Sequence, residues 1–221
     1  MKEEVTKGME NEVTILINQY YQIQKHRIAL GNEVFAQEKN DKPNEFLSEI
    51  AGDMLLIETK IDKRIKKEVK AHPMYAWLKN VKGVGHIFAA GLVTYIDITK
   101  AQHASSVWKY AGLAPEQKRK AGQKLDYNPD LKTLCWKISN SFVKTKGKYR
   151  EIYDTSKAYY QVKFPNEVKE GKVTKYTKGH INNMALRRTV KLFLSDFWAE
   201  WRRIEGLEVS EPFAHRILPK P

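Results

Sequence analysis

Between Leu47 and Val69, apolar side chains recur at steps of three or four: Leu47, Ile50, Met54, Ile57, Ile61, Ile65 and Val69. That period matches the turn of an α-helix, so the stretch reads as a helix carrying one apolar stripe. The spacing is close to a heptad pattern, which suits pairing within the chain or with a second copy. Val13, Leu16, Ile17, Tyr20, Ile23 and Ile28 form a looser stripe before it. Asn40-Asp41-Lys42-Pro43-Asn44 separates the two. Pro43 stops the first helix, and Asn44 suits the cap of the second. Residues 1–70 are therefore expected to form a helical hairpin, serving self-association or partner binding.

His72-Pro73 marks a boundary, with proline suited to the first turn of a new helix. Helices are then expected over about Val84 to Tyr95 and Ala104 to Ala111. Two more fill 130–163, broken near Lys146-Gly147, and a last one runs from about Gly179 to Ile204. Residues 116–128 and 164–178 read as polar loops, the second rich in Pro, Gly and Lys. The expected fold class is all-α: a helical hairpin, then a basic helix-hairpin-helix domain over 71–205, then a tail over 206–221.

Charge separates these regions. Residues 1–70 hold 12 Lys+Arg against 13 Asp+Glu, whereas 71–221 hold 27 against 13. The whole net charge of +13 thus comes from the second region. A solvated helix face mixes signs, so this segregation points to a polyanion, with improved solubility as the plain alternative. No apolar run approaches the roughly 20 residues that cross a bilayer, and the N-terminus lacks a signal-peptide core. The single cysteine, Cys135, cannot close an internal disulfide, which favours a reducing cytoplasm.

The most informative segment is Trp77-Leu-Lys-Asn-Val-Lys-Gly-Val-Gly-His-Ile-Phe-Ala-Ala-Gly-Leu92. Leu78 and Val81 precede a Gly-Val-Gly turn, and Ile87 and Leu92 follow on a helix. The pattern resembles the helix-hairpin-helix motif. Glycine opens backbone angles that a tight turn needs, and the missing side chains let a phosphate reach the main chain. Amides of Gly83, Val84 and Gly85 lie at a helix N-terminus, where N–H groups and the helix dipole favour an anion. Val84 is expected to point inward and pin the turn. Lys82 adds a cation and His86 a hydrogen bond. Such a grip reads phosphates and not base edges. It is no nucleotide-binding P-loop, since neither the Gly-Lys-Ser/Thr ending nor a preceding strand is present.

The hairpin is followed by Trp108-Lys-Tyr-Ala-Gly-Leu-Ala-Pro115 and then Lys118-Arg-Lys-Ala-Gly-Gln-Lys124. This order resembles the C-terminal domain of transposases of the insertion-sequence 110/116/902 group. In that family a Gly-Val-Gly hairpin leads to an Ala-Gly-Leu-x-Pro element and then to a Ser-Gly pair in a basic context. The likeness covers about residues 45–205, and the hairpin with Ala111 to Pro115 is its specific part. It implies DNA handling related to transposition and recombination, by a cytoplasmic, nucleoid-associated prokaryotic protein of a mobile element. Two departures bear on catalysis. Ala121 stands where the family has the serine, and alanine is no nucleophile. No strand-borne acidic cluster precedes the hairpin, while two-metal chemistry needs several converging carboxylates. The expectation is a DNA-binding protein without strand cleavage of its own. Three alternatives remain: a recombinase completed by a partner or another serine, a structured-RNA binder, and a protein adaptor built on the N-terminal helices.

Further phosphate contacts are expected from the loop Lys118, Arg119, Lys120, Gly122 and Lys124, and from Lys178, His180, Arg187 and Arg188 beside the last helix. Lys175 and Lys191 accompany that set. Lys144-Thr-Lys-Gly-Lys-Tyr-Arg150 is a similar basic segment, where Tyr149 and Tyr153 either stack on unpaired bases or sit in the core. The tryptophans read as core. The six histidines are scattered, with no metal-ligand pair, and neither a metal nor a cofactor is expected.

Overall fold

The break at Pro43 acts as its chemistry requires. Helix α1 (Lys2–Lys39) ends before it and α2 (Glu45–Lys70) begins after it. Asn44 takes extended backbone (φ −120°) and its side chain accepts the Leu47 N–H at 3.1 Å, satisfying one orphan donor of the first turn. The two helices pack along each other as a hairpin. In this computed structural model, residues 2–114, 122–169 and 172–210 are described.

After α2 come a single turn, α3 (Tyr75–Leu78), and α4 (His86–Tyr95). A 3₁₀ turn at Ile98–Lys100 and α5 (Ala104–Tyr110) follow. Next are α6 (Pro129–Lys144), α7 (Lys148–Lys163) and α8 (Lys178–Ile204). The class is all-α. Capping again explains the starts. Asn128 accepts from the Asp130 and Leu131 amides, with Pro129 pre-set in the first turn of α6. Thr177 accepts from the His180 N–H at the start of α8. The expected loop at 164–178 needs correction, because it contains an antiparallel ribbon, β1 (Glu167–Lys169) with β2 (Lys172–Lys175).

Helix α8 forms the centre of the fold and packs on α5, α6 and α7. Phe193, Leu194, Phe197 and Trp198 are fully buried on it. Trp198 Nε1 donates to the Ala101 carbonyl at 2.7 Å and Trp108 Nε1 to that of Lys191 at 3.0 Å, so both indoles keep a polar partner while buried or half-buried. Phe142, Tyr149, Phe193, Phe197 and Trp201 form a chain of ring contacts through α6, α7 and α8. The same apolar cluster takes in Ile17 of α1 and Ile65 and Val69 of α2. The base of the hairpin is thereby fixed to α4, and through it to the glycine turn.

Candidate nucleic-acid interface

The turn between α3 and α4 uses its two glycines differently. Gly83 sits at φ +96°, outside the range that side-chain-bearing residues favour. A Cβ there would also lie 2.8 Å from Thr145 Oγ1 and 2.9 Å from Phe142 Cδ1. The Gly83 carbonyl accepts the Ser141 hydroxyl at 2.7 Å. The turn is thus fastened to the C-terminal half of α6, and Val84 closes it from inside as part of the core. Gly85 has ordinary extended backbone (φ −80°, ψ 172°), and nothing lies within 4 Å of where its Cβ would be. It caps α4 without a side-chain acceptor, leaving the first-turn amides open, whereas the Val84 amide expected to face an anion is spent on the Val81 carbonyl at 3.0 Å.

Cations converge on this opening. A groove of about 860 Å³ runs past the turn, bordered by Lys79, Lys82, Lys137 and Lys144 together with Gly83, Gly85 and His86. Gly147 explains how two basic segments meet: a Cβ on it would lie 3.2 Å from Lys82 Cβ, so Lys82 lies directly against the link between α6 and α7. Lys137 rests its ammonium 3.2 Å from the centre of the Tyr21 ring, and burial lowers its pKa. One acidic group also faces the groove. Asp62 Oδ1 lies 2.7 Å from His86 Nε2, so His86 is held by α2. One turn away, Glu58 is buried between the helices of the hairpin. Burial pushes its carboxyl up, but hydrogen bonds from Arg27 and Gln24 outweigh it and hold the pKa low.

A second cavity, of about 440 Å³, lies between α6 and α8 beside Gly112 and Leu113. His180, Arg187 and Lys132 border it. Arg188 does not join them. It is only 8% exposed, on another side of α8, with its guanidinium over Tyr159 and Tyr160 at 5.4 and 5.9 Å. Lys178 is exposed at the start of α8. Lys191 is half-buried over Trp108, and burial, then the neighbouring Arg187 charge, lowers its pKa. Lys124 and Gly122 are exposed, whereas Lys118, Arg119 and Lys120 lie outside the described residues, as does Ala121.

The core alternative holds for Tyr149 and Tyr153, and the assignment of one tryptophan changes. Tyr149 and Tyr153 are buried, and the Tyr149 hydroxyl donates to Asp196 Oδ2 at 2.7 Å, so neither ring offers a face to a base. Trp136 is not core. It is 60% exposed and borders both cavities. The signal for it is in the α6 sequence. Leu131, Leu134, Cys135, Ile138 and Phe142 are the buried stripe, and Trp136 stands one residue, about 100° of rotation, off it in a row with Lys132 and Asn140. Cys135 itself is buried, and burial pushes its thiol up to about 12. The Ser139 and Ser141 hydroxyls are both spent on backbone carbonyls.

Comparison with protein-family models and with curated proteins gives no match. Among the described residues, no helix is long and apolar enough to cross a membrane, and no three His, Cys, Asp or Glu side chains gather as a metal site.

Proposed function

We propose that the protein binds DNA by its phosphate backbone, with the Lys82–Gly85 turn as the grip. The observation that carries this reading is the open, glycine-capped start of α4 in a groove with Lys79, Lys82, Lys137 and Lys144. Uncapped amides, a helix dipole and clustered ammonium groups all favour an anion at one place. The segregated positive charge of residues 71–221 supports a polyanion over a single phosphate-bearing metabolite. His180, Arg187 and Lys132 extend the same sign of charge to the far side of Trp136.

In this reading the protein is a transposase-related, nucleoid-associated DNA binder that does not cut strands itself. Ala121 at the position of the family's serine supports that limit. The tip of the N-terminal hairpin acts as the self-association surface. Phe35 and Phe46 are 67% and 68% exposed there, and a second copy would take them out of water.

Fluorescence anisotropy with labelled duplex DNA across a salt series tests the grip, with structured RNA as competitor. If about six phosphates are neutralised, the slope of log K against log salt is near −5. Lys82→Ala and Lys144→Ala each reduce that slope by about one. Absence of binding, or binding insensitive to salt and to both substitutions, overturns the reading.

A further inference from the structure

We infer that Trp136 is a stacking platform for an unpaired nucleobase, so that the preferred ligand has a strand with at least one base out of a duplex. The inference rests on the nucleic-acid reading above and adds what kind of nucleic acid it takes.

The exposure of Trp136 has no explanation in the packing. Phe142, Phe193, Phe197 and Trp198 are fully buried, whereas Trp136, on the same helix as Phe142, is left 60% in solvent. Its indole N–H makes no hydrogen bond within the protein among the described residues, unlike those of Trp108, Trp198 and Trp201. An indole is a large apolar plane, and leaving it in water is unfavourable unless something covers it.

Its surroundings select the occupant. Trp136 forms the wall between the 860 Å³ groove at the glycine turn and the 440 Å³ cavity at His180 and Arg187. Cations stand on both sides: Lys137 and Lys144 on one, Lys132 and Arg187 on the other. A flat aromatic face between two cationic hollows matches a strand whose phosphates straddle a base. It matches an apolar peptide less well, since such a peptide would meet a cation in each hollow. Asn140 and Asn183 border the two hollows. The Asn140 amide N–H donates to the Trp136 carbonyl at 2.8 Å, and its amide oxygen, which accepts no hydrogen bond among the described residues, can accept from a base edge. Stacking of this kind tolerates any base, since every base has a π-face.

The test uses the full chain and a short DNA strand carrying one 2-aminopurine, whose fluorescence drops on stacking. The strand is offered single, fully paired, and paired except at the probe; an RNA strand of the same sequence is a further arm. Trp136→Leu keeps apolar cover without the plane, and Trp136→Phe keeps a plane. The wild-type protein quenches the unpaired probe. Trp136→Leu loses about tenfold in affinity for unpaired probes, within the range of one base–aromatic stack. Its loss on the paired duplex is smaller than on the unpaired probes, and Trp136→Phe retains most of the preference. Equal affinity of wild type and Trp136→Leu for unpaired probes overturns the inference and leaves backbone binding standing. So does an equal loss on paired and unpaired DNA. Absence of binding to every probe overturns both.

Discussion

Gly83→Ala and Gly85→Ala separate the fold from the grip. At Gly83 the backbone is at φ +96°, so any Cβ meets left-handed strain of about 1–2 kcal/mol. The same Cβ would press on Thr145 Oγ1 at 2.8 Å and on the Phe142 ring at 2.9 Å. Phe142 is fully buried and in contact with Tyr149 and Phe193, so it cannot step aside without disturbing them. Overpacking of that kind costs about 1–3 kcal/mol. Gly83→Ala is therefore expected to lower stability by about 2–5 kcal/mol, visible as a shift of the urea midpoint followed by circular dichroism. Gly85→Ala meets neither obstacle, as its backbone is ordinary and its surroundings empty. Its stability is unchanged or raised by about 0.5 kcal/mol, because alanine narrows the unfolded ensemble. Its added methyl narrows the approach of a phosphate to the open amides, and DNA affinity falls by about tenfold, the weight of one hydrogen bond to a charged group. A Gly83→Ala protein as stable as the wild type would refute the packing argument. A Gly85→Ala protein that unfolds earlier than Gly83→Ala would refute the division of labour between the two glycines.

Two further outcomes are expected. The His72 ring lies edge-on to Trp201 at 5.2 Å and its Nδ1 accepts the Met74 N–H at 3.1 Å, so the folded protein holds it neutral. Burial lowers its pKa below the ordinary 6.5, and Glu205 offsets only part of this. Its contribution to stability is therefore complete above about pH 6.5 and is lost as the pH falls through the lower folded value. Urea midpoints measured down that range fall less for His72→Gln than for the wild type, and equal slopes would contradict the assignment. At the hairpin tip, Phe35→Ser with Phe46→Ser is expected to convert a dimer into a monomer in light scattering, and a monomeric wild type would refute self-association through this surface.

The all-α class, the helix-stopping break at Pro43 and the cap at Asn44 are all matters of local backbone chemistry. They depend on residues a few positions apart, and the sequence alone determined them. Lys82 to Gly85 was legible for the same reason, since a glycine turn and its flanking apolar residues are a short-range pattern. The ribbon at 167–175 was not, because its strands are only three and four residues long and rich in Lys and Glu, which strands disfavour. What only the tertiary structure decided was which side of each helix became interior. One residue step turns the side chain by about 100°, so neighbours in sequence part company once a helix is packed. Arg187 borders a cavity while Arg188 is buried over Tyr159 and Tyr160. Cys135 is core while Trp136 stands in solvent between two cationic hollows. The helices themselves are set by local period and caps, but their rotation is set by the partners around them. Charge counts and apolar stripes therefore locate a basic region, and only the packing of α6 against α4 and α8 brings Lys137, Lys144 and Trp136 beside the glycine turn.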